Sequence, residues 1–236
     1  MKATSAMGLL ATAVLLVAAC PVEHPVPKYL GAEATEALAY AAQSPVLQDH
    51  TSELPTHLLT PVVLPEVARF NGFSNFFETA ALEAFYVEDG SCVVDFSIGP
   101  FQMKPSFAER IEHRVAAQPL LRQRFPKLAS CAGKDGTAER QARVERLSSA
   151  QGQWPYLEAM VVLVLQDHPV VHTMCNADQT AFMASAYNGG FERSYAAIED
   201  GVWMRCYPHG TGHEGTQLRY AEAAQWFALQ LGMVPE

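Results

Sequence analysis

Apolar residues recur along this chain at helical rather than strand spacing, interrupted by proline and glycine. Residues 32–43, AEATEALAYAAQ, are strong helix formers. Residues 44–66 hold four prolines and read as an irregular connector. From Ser74, a candidate N-cap, NFFETAALEAFYVE reads as a buried helix that Asp89-Gly90-Ser91 ends. Residues 91–103, rich in Val, Phe and Ile, predict a loop or short hairpin. Pro105-Ser106 then opens the helix SFAERIEHRVAA. Residues 126–150 are polar and predict a loop plus one helix. Trp154 to Gln166 forms a strongly apolar helix stopped by Pro169. Asp178 caps QTAFMASAY, which Asn188-Gly189-Gly190 terminates, and a last helix runs from about Thr216 to Leu231. The expected fold is mainly α, with one small loop or β excursion after the helix of Glu83.

The first residues follow a different pattern. Lys2 precedes a short apolar run, Met7 to Val17, and small residues follow up to Cys20. The run is too short for a spanning helix and reads as a secretory signal over residues 1–19. The closing VAAC resembles a lipobox, which makes Cys20 the lipidated first residue of the mature chain. Pro21 to Pro27 is then a stiff tether. Residue 21 is Pro rather than the Asp of one inner-membrane retention signal, so the expected location is the periplasmic side of the outer membrane. The expected organisation is signal 1–19, lipidated Cys and tether 20–30, helix and connector 31–66, and the main domain 67–236.

Charge and cysteine content narrow the function. The chain carries 16 basic and 25 acidic side chains, a net charge of −9. That argues against a nucleic-acid partner, which requires a basic footprint. Apart from Cys20, the chain holds Cys92, Cys131, Cys175 and Cys206, an even number that in an exported chain points to disulfides. Cys92–Cys131 and Cys175–Cys206 are the favoured pairs of the three arrangements. No CxxC occurs, and His209, His213 and Glu214 form HxxxHE in a glycine-rich stretch rather than HExxH on a helix. Neither a metal nor a cofactor is expected.

Three separated segments carry the candidate chemistry: Glu83 in AALEAFY, Gln102 in GPFQM, and Tyr187-Asn188 in AYNGG. Together they resemble the lysozyme-like lytic transglycosylases of bacterial cell walls, over roughly residues 70–230. That family has a catalytic glutamate at a helix end, a Gly-Leu-Met-Gln segment about twenty residues later, and an Ala-Tyr-Asn-Ala-Gly segment on a later helix. Gln102 lies 19 residues after Glu83. Pro105-Ser106, Tyr156-Leu157 and Tyr220 extend the likeness. The chain departs from the pattern at Ala84 for the usual serine, at Pro100-Phe101 for Leu-Met, at Gly189 for alanine, and in a longer interval around 126–150.

The resemblance implies a peptidoglycan partner and non-hydrolytic cleavage of the MurNAc-β-1,4-GlcNAc bond, with Glu83 as single acid and base. Phe101, Gln102, Tyr187, Asn188 and Tyr220 would contact the strand. Such chemistry needs a glutamic acid that keeps its proton near neutral pH, and burial among Leu82, Phe85 and Tyr86 would supply that. Glu78 and Glu88 compete for the role, and Asp95 is the candidate second carboxylate for a hydrolytic variant. A non-catalytic peptidoglycan-binding or scaffold protein is the remaining alternative. No protein partner is specified.

Overall fold

The computed structural model describes residues 30–48, 52–70, 72–208 and 217–235, with the backbone alone at 72–76. The expected signal, Cys20, nearly all of the tether, and the His209, His213, Glu214 segment lie outside these residues.

The architecture is mainly α. In chain order the helices are α1 (Gly31–Gln43), α2 (Thr60–Arg69), α3 (Gly72–Ala81), α4 (Val87–Asp89), α5 (Pro105–Ala117), α6 (Pro119–Arg124), α7 (Pro126–Ala129), α8 (Thr137–Leu147), α9 (Ala150–Asp167), α10 (Asn176–Gly189), α11 (Tyr195–Val202) and α12 (Tyr220–Gln230). A π-helical turn, Leu82–Tyr86, joins α3 to α4. Two short strands, β1 (Arg205–Tyr207) and β2 (Leu218–Arg219), pair antiparallel just before α12.

The central helix is α9, buried almost all round as its continuous apolar sequence requires. Ser149 caps it by accepting a bond from the Gly152 N–H. Helices α2, α10 and α12 pack on one another, and α1 covers α2. The core runs unbroken from Leu30 to Phe227. The boundary expected at 66/67 therefore falls inside α2, and the N-terminal helix belongs to the same packed body.

Helix α2 overturns the reading of 44–66 as a connector throughout. Pro61 sits in its first turn, where no intrahelical N–H bond is needed. Pro65 lies inside and costs about 3 kcal/mol. Val62, Val63 and Leu64 are fully buried, each contributing roughly 1.5–3 kcal/mol, so burial outweighs the proline. Ser74, the expected N-cap, falls inside α3. Gly90, with φ +85, ends α4 as expected.

The polar segment 126–150 holds an internal ion-pair network. Arg143 on α8 is 2 % exposed and donates to Glu112 of α5 at 2.6 Å and to the Tyr86 hydroxyl at 2.6 Å. Tyr86 donates to Glu109, and Tyr156 of α9 donates to Glu112. The network ties α5, α8, α9 and the π turn together. Each buried charge has a hydrogen-bonded partner, as burial of a charge demands.

Candidate functional site

A cleft of about 490 Å³ opens between the C-terminal half of α2, α3, the 95–104 turn, α5 and the end of α10. Its lining includes Glu66, Arg69, Glu78, Asp95, Gln102, Lys104, Arg110, Tyr187 and Asn188. No residue of 126–150 lines it.

The turn that carries Gln102 is built from its sequence. Ile98 and Met103 pair across it as an isolated bridge, with N–H donated in both directions at 3.1 Å. Gly99 has φ +69, and a Cβ there would meet the Leu147 carbonyl oxygen at 2.1 Å. Only glycine lets the chain pass so close to α8. Gln153 of α9, fully buried, clamps the turn from behind. Its amide donates to the Ile98 carbonyl at 2.7 Å and accepts from the Phe101 N–H at 2.8 Å. Phe101 and Met103 point into the core. Gln102 points into the cleft with φ 51, its amide donating to the Gly99 carbonyl at 2.9 Å.

Phe101 is therefore not placed to contact a strand. It is completely buried and meets Trp154 edge-on at 6.4 Å. Tyr187 reaches the cleft, and its hydroxyl donates to the Phe101 carbonyl, which locks α10 to the turn. Asn188 follows it, exposed, at the helix end. Tyr220 is buried, stacks on Tyr187 at 6.5 Å and donates to the Val62 carbonyl of α2 at 2.9 Å. Its position supports the cleft wall from behind. Asp95 lines the cleft but is engaged as a cap, accepting from the Ser106 N–H at 2.9 Å and hydroxyl at 2.7 Å.

Glu83 does not join this group. It lies in the π turn, exposed to solvent, and does not line the cleft. The expected burial fails because the π turn directs Leu82 and Tyr86 inward, while Glu83, Ala84 and Phe85 face out. Glu88 is also exposed. Glu78 is half-buried in the cleft, with its carboxyl raised by burial and partly held down by Arg69.

The buried carboxyl of the cleft is Glu66, 7 % exposed. Burial pushes its carboxyl from 4.5 up to about 7, against the opposing charge and hydrogen bond of Arg69. Arg69 donates to it at 3.3 Å. The helix stretch that holds Glu66 is pinned by tyrosines: Tyr220 donates to the Val62 carbonyl and Tyr207 to the Pro65 carbonyl. Arg69 lies over the Tyr207 ring at 5.5 Å. Burial also raises the Tyr187 and Tyr220 hydroxyls, so both stay neutral donors.

Sequence reasoning missed Glu66 because it lies 36 residues before Gln102 and inside the proline-rich stretch. The available signal was a single carboxylate within the apolar run VVLPEVA.

The four cysteines stand unpaired. Cys131 is buried and donates to the Lys127 carbonyl, and Cys175 lies beside Asp178. Among the described residues, no group of His, Cys, Asp and Glu is placed to hold a metal, and no helix is long and apolar enough to cross a membrane. No protein-family profile, curated protein or solved structure matches the chain.

Proposed function

We propose that the chain is a lysozyme-like peptidoglycan lytic transglycosylase, with Glu66 in the role first expected of Glu83. The observation that carries this reading is a lone buried carboxyl, raised to about 7, in an open cleft shared with Gln102, Tyr187 and Asn188. A carboxyl of that kind holds a proton at neutral pH and can give it up. Glu66 protonates the glycosidic oxygen as the bond to the muramic C1 breaks and positive charge grows on the ring. The resulting carboxylate then takes the proton of the same sugar's C6 hydroxyl, whose oxygen closes onto C1. The product is a 1,6-anhydro ring, and Glu66 regains its proton. Gln102 and Asn188 orient the strand by hydrogen bonds.

Hydrolysis is the second reading, because Glu78 lines the same cleft and a second carboxylate is what activation of a water needs. Mass spectrometry of muropeptides released from purified sacculi separates the two. Anhydromuramyl ends are expected; reducing ends would transfer the assignment to a muramidase. Anchoring through Cys20 to the outer membrane completes the proposal. Labelling of the protein by palmitate in cells, lost in Cys20→Ser, checks it.

A further inference from the structure

Arg69 is the last residue of α2, three positions after Glu66. It donates to Glu66 at 3.3 Å, yet its side chain is 42 % exposed against 9 % for Glu66. One guanidinium face rests on Tyr207 at 5.5 Å. An arginine held by an aromatic face and one buried acid, and otherwise open to the cleft, keeps free donors for an incoming group.

The other charged groups of the cleft are differently committed. Lys104 lies 4.0 Å from Asp95, which is itself bound to Ser106. Arg110 of α5 pairs with Glu192 at 3.4 Å. Glu78 of α3 faces the same space and feels the Arg69 charge. Tyr187 of α10 and Tyr220 of α12 are neutral phenols beside Glu66, and Tyr207 of β1 donates to the Pro65 carbonyl next to it. Among the described residues, Glu66 is the one carboxylate within ion-pair distance of Arg69. The cation nearest the acid is thus also the one free to leave it.

A guanidinium binds a carboxylate through two parallel N–H bonds more strongly than through one long bond. Its departure from Glu66 removes the charge that opposes protonation there. We propose that Arg69 selects glycan strands bearing a carboxylate beside the bond to be cleaved, moving from Glu66 onto that carboxylate and freeing Glu66 to donate its proton. This rests on the assignment of Glu66 as the acid. A neutral glycan leaves Arg69 on Glu66, which then holds its proton less tightly than when the guanidinium has moved away.

The test measures binding to the non-cleaving Glu66→Gln protein by calorimetry with two probes. One is peptide-free peptidoglycan strands, whose lactyl groups carry free carboxylates; the other is chitohexaose, with the same linkage and no carboxylate. The strands should bind about tenfold tighter. Adding Arg69→Gln should erase that preference while leaving chitohexaose within about twofold. Equal binding of the two probes, or a Gln substitution that weakens both alike or neither, overturns the proposal. In the active protein, Arg69→Gln should move the alkaline limb of kcat/KM to higher pH and leave that of kcat in place, because kcat/KM reports the free protein. Movement of both limbs, or of neither, also refutes it. If Glu66→Gln releases soluble muropeptides as wild type does, it is the acid assignment that fails, whatever the binding ratio.

Discussion

Replacing Glu66 by glutamine should stabilise the protein while removing its activity, and the gain should depend on pH. Glu66 holds its proton more tightly when folded, near pH 7, than the ordinary 4.5 of an unfolded chain. Below about 4.5 the carboxyl is neutral in both states, so its contribution is fully present. As pH rises through 7 the folded protein must bear a buried carboxylate, and stability is lost. At about 1.4 kcal/mol for each tenfold change in proton affinity, the loss is roughly 3 kcal/mol. Glutamine has nearly the same shape and no charge to desolvate. Arg69, left without its partner, is solvated enough to tolerate this. Urea unfolding of both proteins at pH 4.5, 6, 7 and 8.5 measures the difference. Every other titrating group is common to both and cancels. The advantage of Glu66→Gln should be near zero at the lowest pH and grow to roughly 3 kcal/mol by 8.5. A pH-independent difference, or a variant less stable than wild type at pH 8.5, would refute the reasoning.

Other substitutions test the site assignment. Glu83→Gln should leave muropeptide release from sacculi within about twofold of wild type, whereas Glu66→Gln should lower it by about a hundredfold or more. The reverse pattern would restore Glu83 as the acid. Gln153→Leu leaves the Phe101 N–H without its buried partner and takes one of two donors from the Ile98 carbonyl, which keeps the Met103 N–H, and this should cost about 1–3 kcal/mol in urea unfolding. A cost under about 1 kcal/mol would mean that the turn does not depend on this clamp.

Much of the helical order was legible because it depends on local pattern. The apolar run of α9, the proline start of α5 and the glycine stop after Asp89 each act within a few residues. In the turn, Phe101 and Met103 point inward and Gln102 outward, against the expectation that Phe101 meets the strand. The AYNGG and GPFQM segments stood apart in the sequence, and Tyr187, Asn188 and Gln102 do share one cleft.

The sequence by itself determined α5 and α10 beside that cleft, though not α2, and supplied the Gly99 that the turn requires. The tertiary structure decided which carboxyl faces it. Propensity argued against a helix at Pro61 and Pro65, yet packing against α1, α10 and α12 buries nearly every residue of α2. That burial gives Glu66 its raised carboxyl. At Glu83 the opposite happened: apolar neighbours in sequence promised burial, and a π turn sent the glutamate outward. Desolvation depends on the elements packed around a side chain rather than on its sequence neighbours. Those elements, contributed by β1, α10 and α12, lie more than a hundred residues along the chain from Glu66.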